Sequence, residues 1–287
     1  MATAPVVAGA HVSSGGGIYR AVERAVALDA DALQLFTQSP RAWRPTNHAG
    51  EALERFRIDR LQAGIEAVVC HALYLINLAN PDPVIYEKSR TALNHTVEVA
   101  TAIEADAVVL HVGSHLGHGL EAALPQVSDA LLEALALCGG PTWLLLENSA
   151  GAGGTIGRSI AELATIINYL DIPPRLGVCL DSCHLFVSGV DVGDRAELDK
   201  LISELDTSIG LERLRCLHVN DAKAALGSNR DRHANLLEGE LGERLATFLT
   251  HEALSGLPAI LETPGAEGKG ADAAEVAKLR DLARSPS

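Results

Sequence analysis

Leu176-Gly-Val-Cys-Leu-Asp-Ser-Cys-His184 is an apolar run that ends on chemistry. Its first five residues show no alternation, as in a strand covered on both faces. The run then stops at a carboxylate, Asp181, with an imidazole three residues further on. The same design recurs along the chain. Pro5–Ala10, Ala32–Phe36, Ala67–Cys70, Ala107–Leu110, Thr142–Leu146, Leu214–Leu217 and Ala259–Leu261 also read as buried strands. Segments of helical spacing, such as Ile18–Leu28, Pro83–Ala105, Leu120–Cys138 and Ser159–Leu170, lie between them. Eight strand–helix units in succession predict an α/β fold, the (β/α)8 TIM barrel. The reading is of one domain over 1–287, with a last helix after Ala271 and a frayed tail at 284–287.

In such a barrel the C-terminal strand ends converge on one mouth. The residues at or just past those ends are His11, Thr37, His71, His111, Glu147, Asp181, His218 and Glu262. Any one of them alone would serve as a helix cap or loop hydrogen-bonder. Seven groups able to bind metal or move protons, gathered in one mouth, would repel or neutralise one another unless cations held them. Two short pairs add to the set: Asp181 with His184, and Asp231 with His233 in the loop after the seventh strand. Imidazole and carboxylate without clustered thiolates suit catalytic Zn²⁺, with Mn²⁺ or Fe²⁺ also compatible. Cys70 and Cys183 each precede a histidine, and strand alternation turns them toward the core. Nine candidate ligands remain: His71, His111, Glu147, Asp181, His184, His218, Asp231, His233 and Glu262. Three ions with ~3–4 protein ligands each account for them if carboxylates bridge. The ions would outweigh the four carboxylates, and the positive remainder suits a phosphate-bearing substrate.

Composition narrows the partners. The 287 residues carry 23 Lys and Arg against 37 Asp and Glu, a net charge of −14. That balance excludes a general polyanion binder, so any grip on nucleic acid must use a local basic patch or bound cations. No apolar run approaches the ~18 residues of a membrane span, and the start MATAPVVAGA lacks a basic n-region. Five cysteines, few and odd in number, suit a reducing cytoplasm. Gly151-Ala-Gly-Gly-Thr-Ile-Gly157 follows a strand, but its GxGxxxG spacing is wrong for a dinucleotide turn and it reads as a loop over the site.

The motifs together resemble the endonuclease IV family of zinc-dependent abasic-site endonucleases. The matching stretches are Ala10-His-Val-Ser-Ser14, Phe36-Thr-Gln-Ser-Pro-Arg-Ala-Trp43, His71-Ala-Leu-Tyr-Leu-Ile-Asn-Leu-Ala79 and His111-Val-Gly-Ser-His115. They continue through Glu147-Asn-Ser-Ala-Gly151, Leu180-Asp-Ser-Cys-His184, Leu217-His-Val-Asn-Asp-Ala-Lys223, Asp231-Arg-His233 and Leu261-Glu-Thr263. The resemblance implies a trinuclear zinc cluster and hydrolysis of the phosphodiester 5′ to an abasic site in duplex DNA. The products would be a 3′-hydroxyl and a 5′-deoxyribose phosphate. It implies one ion on His71, His111 and Glu147, a second on Glu147, Asp181, His218 and Glu262, and a third on His184, Asp231 and His233. Glu147 or Glu262 would orient the attacking water or relay its proton. Arg41, Tyr74 and Leu75 match residues that the family inserts into the base stack, while Asn220, Lys223 and Arg232 are placed to touch phosphates. That mode of binding needs only a monomer.

The chain departs from the family in two loops. Leu237 stands where glycine is usual, and Ala152 replaces a common polar residue. The rival reading is a metal-dependent sugar isomerase or epimerase of the xylose-isomerase-like barrels. Such an enzyme would need neither the Asp231–His233 pair nor a wedge around Arg41.

Overall fold

The computed structural model describes residues 5–284, so the part of the expected frayed tail beyond Arg284 lies outside the described residues. In chain order the strands are β1 (Val7–His11), β2 (Ala32–Phe36), β3 (Ala67–His71), β4 (Ala107–Leu110), β5 (Trp143–Glu147), β6 (Leu176–Asp181) and β7 (Leu214–His218). Two short strands, β8 (Asp221–Ala222) and β9 (His233–Ala234), and then β10 (Pro258–Leu261) complete the set. The long strands close into a barrel in the order β1-β10-β7-β6-β5-β4-β3-β2, while β8 and β9 form a separate antiparallel pair above it. The TIM barrel read from the sequence is the fold observed. Among the described residues no helix is long and apolar enough to cross a membrane.

The helices are α1 (Arg20–Ala27), α2 (Gly50–Ala63), α3 (Pro83–Ala102), α4 (Leu120–Leu137), α5 (Ile160–Tyr169), α6 (Ser182–Ser188), α7 (Arg195–Ser208), α8 (Leu245–Leu249) and α9 (Ala273–Leu282). Local chemistry sets several of their starts. Asp82 caps α3 by accepting from Val84 N–H at 2.8 Å, with Pro83 in the first turn, where its missing N–H costs nothing. Before α5, Ser159 accepts from Glu162 N–H, and the Glu162 carboxylate reaches back to the N–H of Gly157 at 2.9 Å. The glycine-rich stretch is therefore the approach to a capped helix.

Strand residues alternate between two apolar clusters. Leu33, Val68, Val108, Leu144 and Val178 face the helices, whereas Ala32, Val69, Val109, Leu145, Cys179, Cys216 and Ile260 fill the barrel interior. Burying each Val, Leu or Ile side chain contributes ~1.5–3 kcal/mol. Gly9 completes the interior because a Cβ there would lie 2.6 Å from the carbonyl oxygen of Ala32.

The interior alternation also fixes the next layer. Two residues beyond the apolar set stand Gln34, His71, His111, Glu147, Asp181, His218 and Glu262, with His11 from β1. This corrects the reading of β2. Thr37 is out of phase with the inward residues, so its place in the ring is taken by Gln34. The strands also run one residue further than the sequence suggests, to His11, His71, Glu147, Asp181 and His218. Backbone pairing continues through a polar residue, as Asp181↔His218 and Phe36↔His71 show.

Candidate metal centre

Glu147 ends β5 fully buried at the centre of the mouth. Its Oε2 lies 3.4 Å from the Nε2 of both His71 and His111. Its Oε1 lies 3.0 Å from His218 Nδ1 and 3.2 Å from His184 Nδ1. Four imidazoles thus share one carboxylate. Glu262 joins from the end of β10, with Oε2 3.4 Å from His218 Nδ1.

A second group lies above β6. Asp181 caps α6 by accepting from the N–H of His184 at 2.7 Å, which brings His184 back over the barrel. The β8–β9 pair lowers Asp231 and His233 from the other side. Asp231 stands 3.3 Å from His184 Nε2 and 3.2 Å from His233 Nε2. His71, His111 and Glu147 form one compact set of possible ligand atoms, His71, His218 and Glu262 another, and Asp181, His184 and His233 a third.

The residues fit bound cations on grounds internal to this structure. His71 Nδ1 lies 2.6 Å from the carbonyl of Ala72, so it donates there and Nε2 presents a lone pair. That lone pair faces Glu147 Oε2, another acceptor, and neither atom has a hydrogen-bond partner although both are buried. His233 Nε2 is a third such atom. Buried polar atoms without partners are rare, and acceptors facing acceptors call for a cation between them. Two further compact sets include thiols, Cys179 and Cys216 with His218, and Cys183 with Asp231 and His233. Cys179 and Cys216 lie in the layer below, and burial pushes the Cys179 thiol upward. Burial likewise raises the Cys183 thiol, whose sulfur is 3.9 Å from the carbonyl of Arg232.

Without ions, protons balance the charges. Burial alone would raise the Glu147 carboxyl, but His111, His218 and His184 hold it well below the ordinary carboxylate value. Burial also disfavours a charged His184, yet Asp181, Asp231 and Glu147 outweigh it and hold its pKa well above normal. For His233 the same contest, led on the raising side by the Asp231 carboxylate 3.2 Å away, ends at about 9. His111 goes the other way, lowered by burial against the pull of Glu147.

The exposed groups expected at the mouth divide. Tyr74 is 59% exposed and leans on Phe36 and His71, at ring separations of 5.2 and 5.4 Å. It forms a ridge between two cavities. One, of about 820 Å³, is lined by His11, Phe36, Thr37, Gln38 and Glu262. The other, of about 400 Å³, is lined by Leu75, His111, Gly151, Ala152, His184 and Asp231. Arg41 is exposed in the β2–α2 loop, with no polar partner or cation–π contact to Trp43 among the described residues. Lys223 and Arg232 are exposed neighbours in the loop that joins β8 to β9, one directly after β8 and the other directly before β9, where the Lys223 N–H donates to the Arg232 carbonyl at 2.9 Å.

Asn220 is a correction. It is fully buried, its Nδ2 donates to Asp181 Oδ2 at 2.7 Å, and its Oδ1 accepts from the N–H of Glu262 at 2.9 Å. Both ends of the amide are used inside the barrel, so it cannot reach a phosphate. Sequence reasoning missed Asn148, whose Oδ1 accepts from Asp181 N–H at 2.6 Å and whose carbonyl lies 3.0 Å from His184 Nδ1. It also missed Gln34, for which the one signal was an amide inside an otherwise apolar strand.

Residues 22–282 match the family described as a xylose isomerase-like TIM barrel. A probable endonuclease 4 of Halothermothrix orenii is 38% identical over 273 residues, covering 95% of this chain and 98% of that protein. Another, of Oleidesulfovibrio alaskensis, is 42% identical and covers 96% of this chain and 94% of its own length. The crystal structure of endonuclease IV from Thermus thermophilus superposes with a TM-score of 0.83 at 37% identity, covering 96% and 97% of the two chains. With the barrel and its inward ring of imidazoles and carboxylates already in place, this likeness along nearly the whole length has one meaning: the chain belongs to the endonuclease 4 family of xylose isomerase-like TIM barrels.

Proposed function

We propose that this single-domain barrel is a cytoplasmic DNA-repair endonuclease, acting as a monomer. It hydrolyses the phosphodiester 5′ to an abasic site in duplex DNA, leaving a 3′-hydroxyl and a 5′-deoxyribose phosphate. The observation that carries this reading is the trio of buried, partnerless ligand atoms at the foot of the Tyr74 ridge: His71 Nε2, Glu147 Oε2 and His233 Nε2.

Three zinc ions would be held by His71, His111 and Glu147, by Glu147, Asp181, His218 and Glu262, and by His184, Asp231 and His233. Zinc supplies Lewis-acid activation of water at neutral pH and charge neutralisation at phosphorus and the leaving oxygen. Glu147 or Glu262 would orient the attacking water or relay its proton. Tyr74 and Leu75 replace stacking lost when the damaged nucleotide turns out, which is cheapest where there is no base to unpair. Arg41, Lys223 and Arg232 lie in loops on the mouth face and supply the local basic contact that the overall charge of −14 does not.

Chelator stripping and reloading test the reading. Stripped protein should not incise an abasic duplex, and activity should return with about three zinc ions per chain. Full incision by metal-free protein would refute it.

A further inference from the structure

Gln34 lies at the middle of β2, fully buried between Leu33 and Leu35. A primary amide in such a place is costly unless both its ends are partnered. Its Nε2 is 2.6 Å from Glu262 Oε1 and 3.0 Å from His11 Nδ1, and its Oε1 is 2.8 Å from His218 Nε2. The orientation of the amide is not free. Turned over, its oxygen would press against the Glu262 carboxylate, acceptor on acceptor, so Glu262 fixes the NH₂ on its own side. The Oε1 atom can then only accept, and His218 must carry a proton on Nε2. His218 Nδ1 is left facing Glu147 Oε1 at 3.0 Å and Glu262 Oε2 at 3.4 Å.

We propose that Gln34 is a positioning residue for the metal centre: one amide sets both the His218 tautomer and the Glu262 orientation, so that one ion is held through His218 Nδ1 and Glu262 Oε2. The inference rests on the metal-centre reading above. It gives β2, whose end carries no ligand, a part in the centre through a residue in the same inward layer as the ligands. Hydrogen bonds that orient metal ligands are commonly worth ~10–100-fold in metal affinity.

The test compares wild type with Gln34→Met, which keeps the side-chain length and removes both donor and acceptor. Zinc per chain is counted by mass spectrometry, and release to a chromogenic chelator is timed. The variant should lose one ion of the set ~10–100-fold faster than wild type, while the thermal midpoint of its metal-free form stays near that of metal-free wild type. A merely structural Gln34 would lower that midpoint and leave zinc retention unchanged. Independently of any variant, ¹⁵N spectra of zinc-loaded wild type should show His218 protonated at Nε2 and bound through Nδ1. Equal zinc retention in Gln34→Met, or a His218 proton on Nδ1, overturns the inference alone. Wild-type protein that holds no zinc overturns the metal-centre reading and takes this inference with it.

Discussion

His71 Nε2 and Glu147 Oε2 face each other at 3.4 Å in the buried floor of the barrel mouth, two acceptor atoms with no hydrogen bond to either. His71 spends its ring proton on the carbonyl of Ala72, and His111 approaches the same Glu147 oxygen from the other side. This arrangement is stable only with positive charge between the groups. It makes Glu147 the hinge of the account, since its other oxygen meets His184 and His218.

Glu147→Gln is therefore expected to cut zinc retention and incision by at least about a hundredfold. The substitution keeps the side-chain shape while removing the charge that four imidazoles share. Circular dichroism and zinc counting on the same preparation check this. A variant that keeps its zinc and its activity removes Glu147 from the centre.

The metal-free protein should lose stability as pH rises from about 6.5 to about 9. His233 is lifted from 6.5 to about 9, and His184 and His218 lie well above 6.5. A raised imidazole contributes stability that is complete below its unfolded value and is lost as pH climbs through its folded value. His111 and His11, lowered by burial, act only on the acid side of 6.5 and leave this window alone. Denaturant melts in excess chelator at about pH 6.5 and about pH 9 measure the loss. In zinc-loaded protein the ions replace these protons, so the alkaline decline should vanish. A metal-free protein as stable at the higher pH as at the lower contradicts the charge balance.

Arg41→Ala should weaken binding to an abasic duplex more than to an undamaged one, by roughly tenfold against two- to threefold. Lys223→Ala should weaken both equally, as a phosphate contact does. Titrations at one fixed salt concentration separate the cases, and equal losses for Arg41→Ala would make it a phosphate contact as well.

Leu237 has a φ of 70° and is 44% exposed. A left-handed backbone costs a leucine ~1–2 kcal/mol, and little packing would be lost on removing an exposed side chain. Leu237→Gly is thus expected to raise stability by up to about 1 kcal/mol, allowing for glycine's looser unfolded chain. Urea unfolding of the zinc-loaded form reads the difference, and destabilisation would show that the Leu237 side chain packs more than its exposure suggests.

The barrel was legible because most strands are continuous apolar runs, interrupted only by Gln34 in β2 and Arg215 in β7, and each run gives way to a polar residue. The ligand candidates were legible for the same reason: His71, Glu147 and Asp181 interrupt runs that otherwise have no use for charge. Gln34 escaped because it lies inside its run, where Thr37 at the end drew the reading instead. Only the strand pairing, His11↔Gln34 and Phe36↔His71, fixes which of the two shares the ligand layer. Asn220 escaped for a related reason. A polar residue next to a site can face the substrate or brace a ligand, and burial decides between them. Leu237 was visible as a departure from a pattern, and its backbone angle shows what the usual glycine is for.

A labelled duplex with one tetrahydrofuran residue, incubated with zinc-loaded protein and free chelator enough to remove magnesium, tests the central claim most directly. Tetrahydrofuran cannot undergo β-elimination, so a break there is hydrolytic. The account predicts a single cut on the 5′ side whose 3′ end a polymerase extends directly. An intact duplex, after zinc loading has been verified on the same sample, would contradict it.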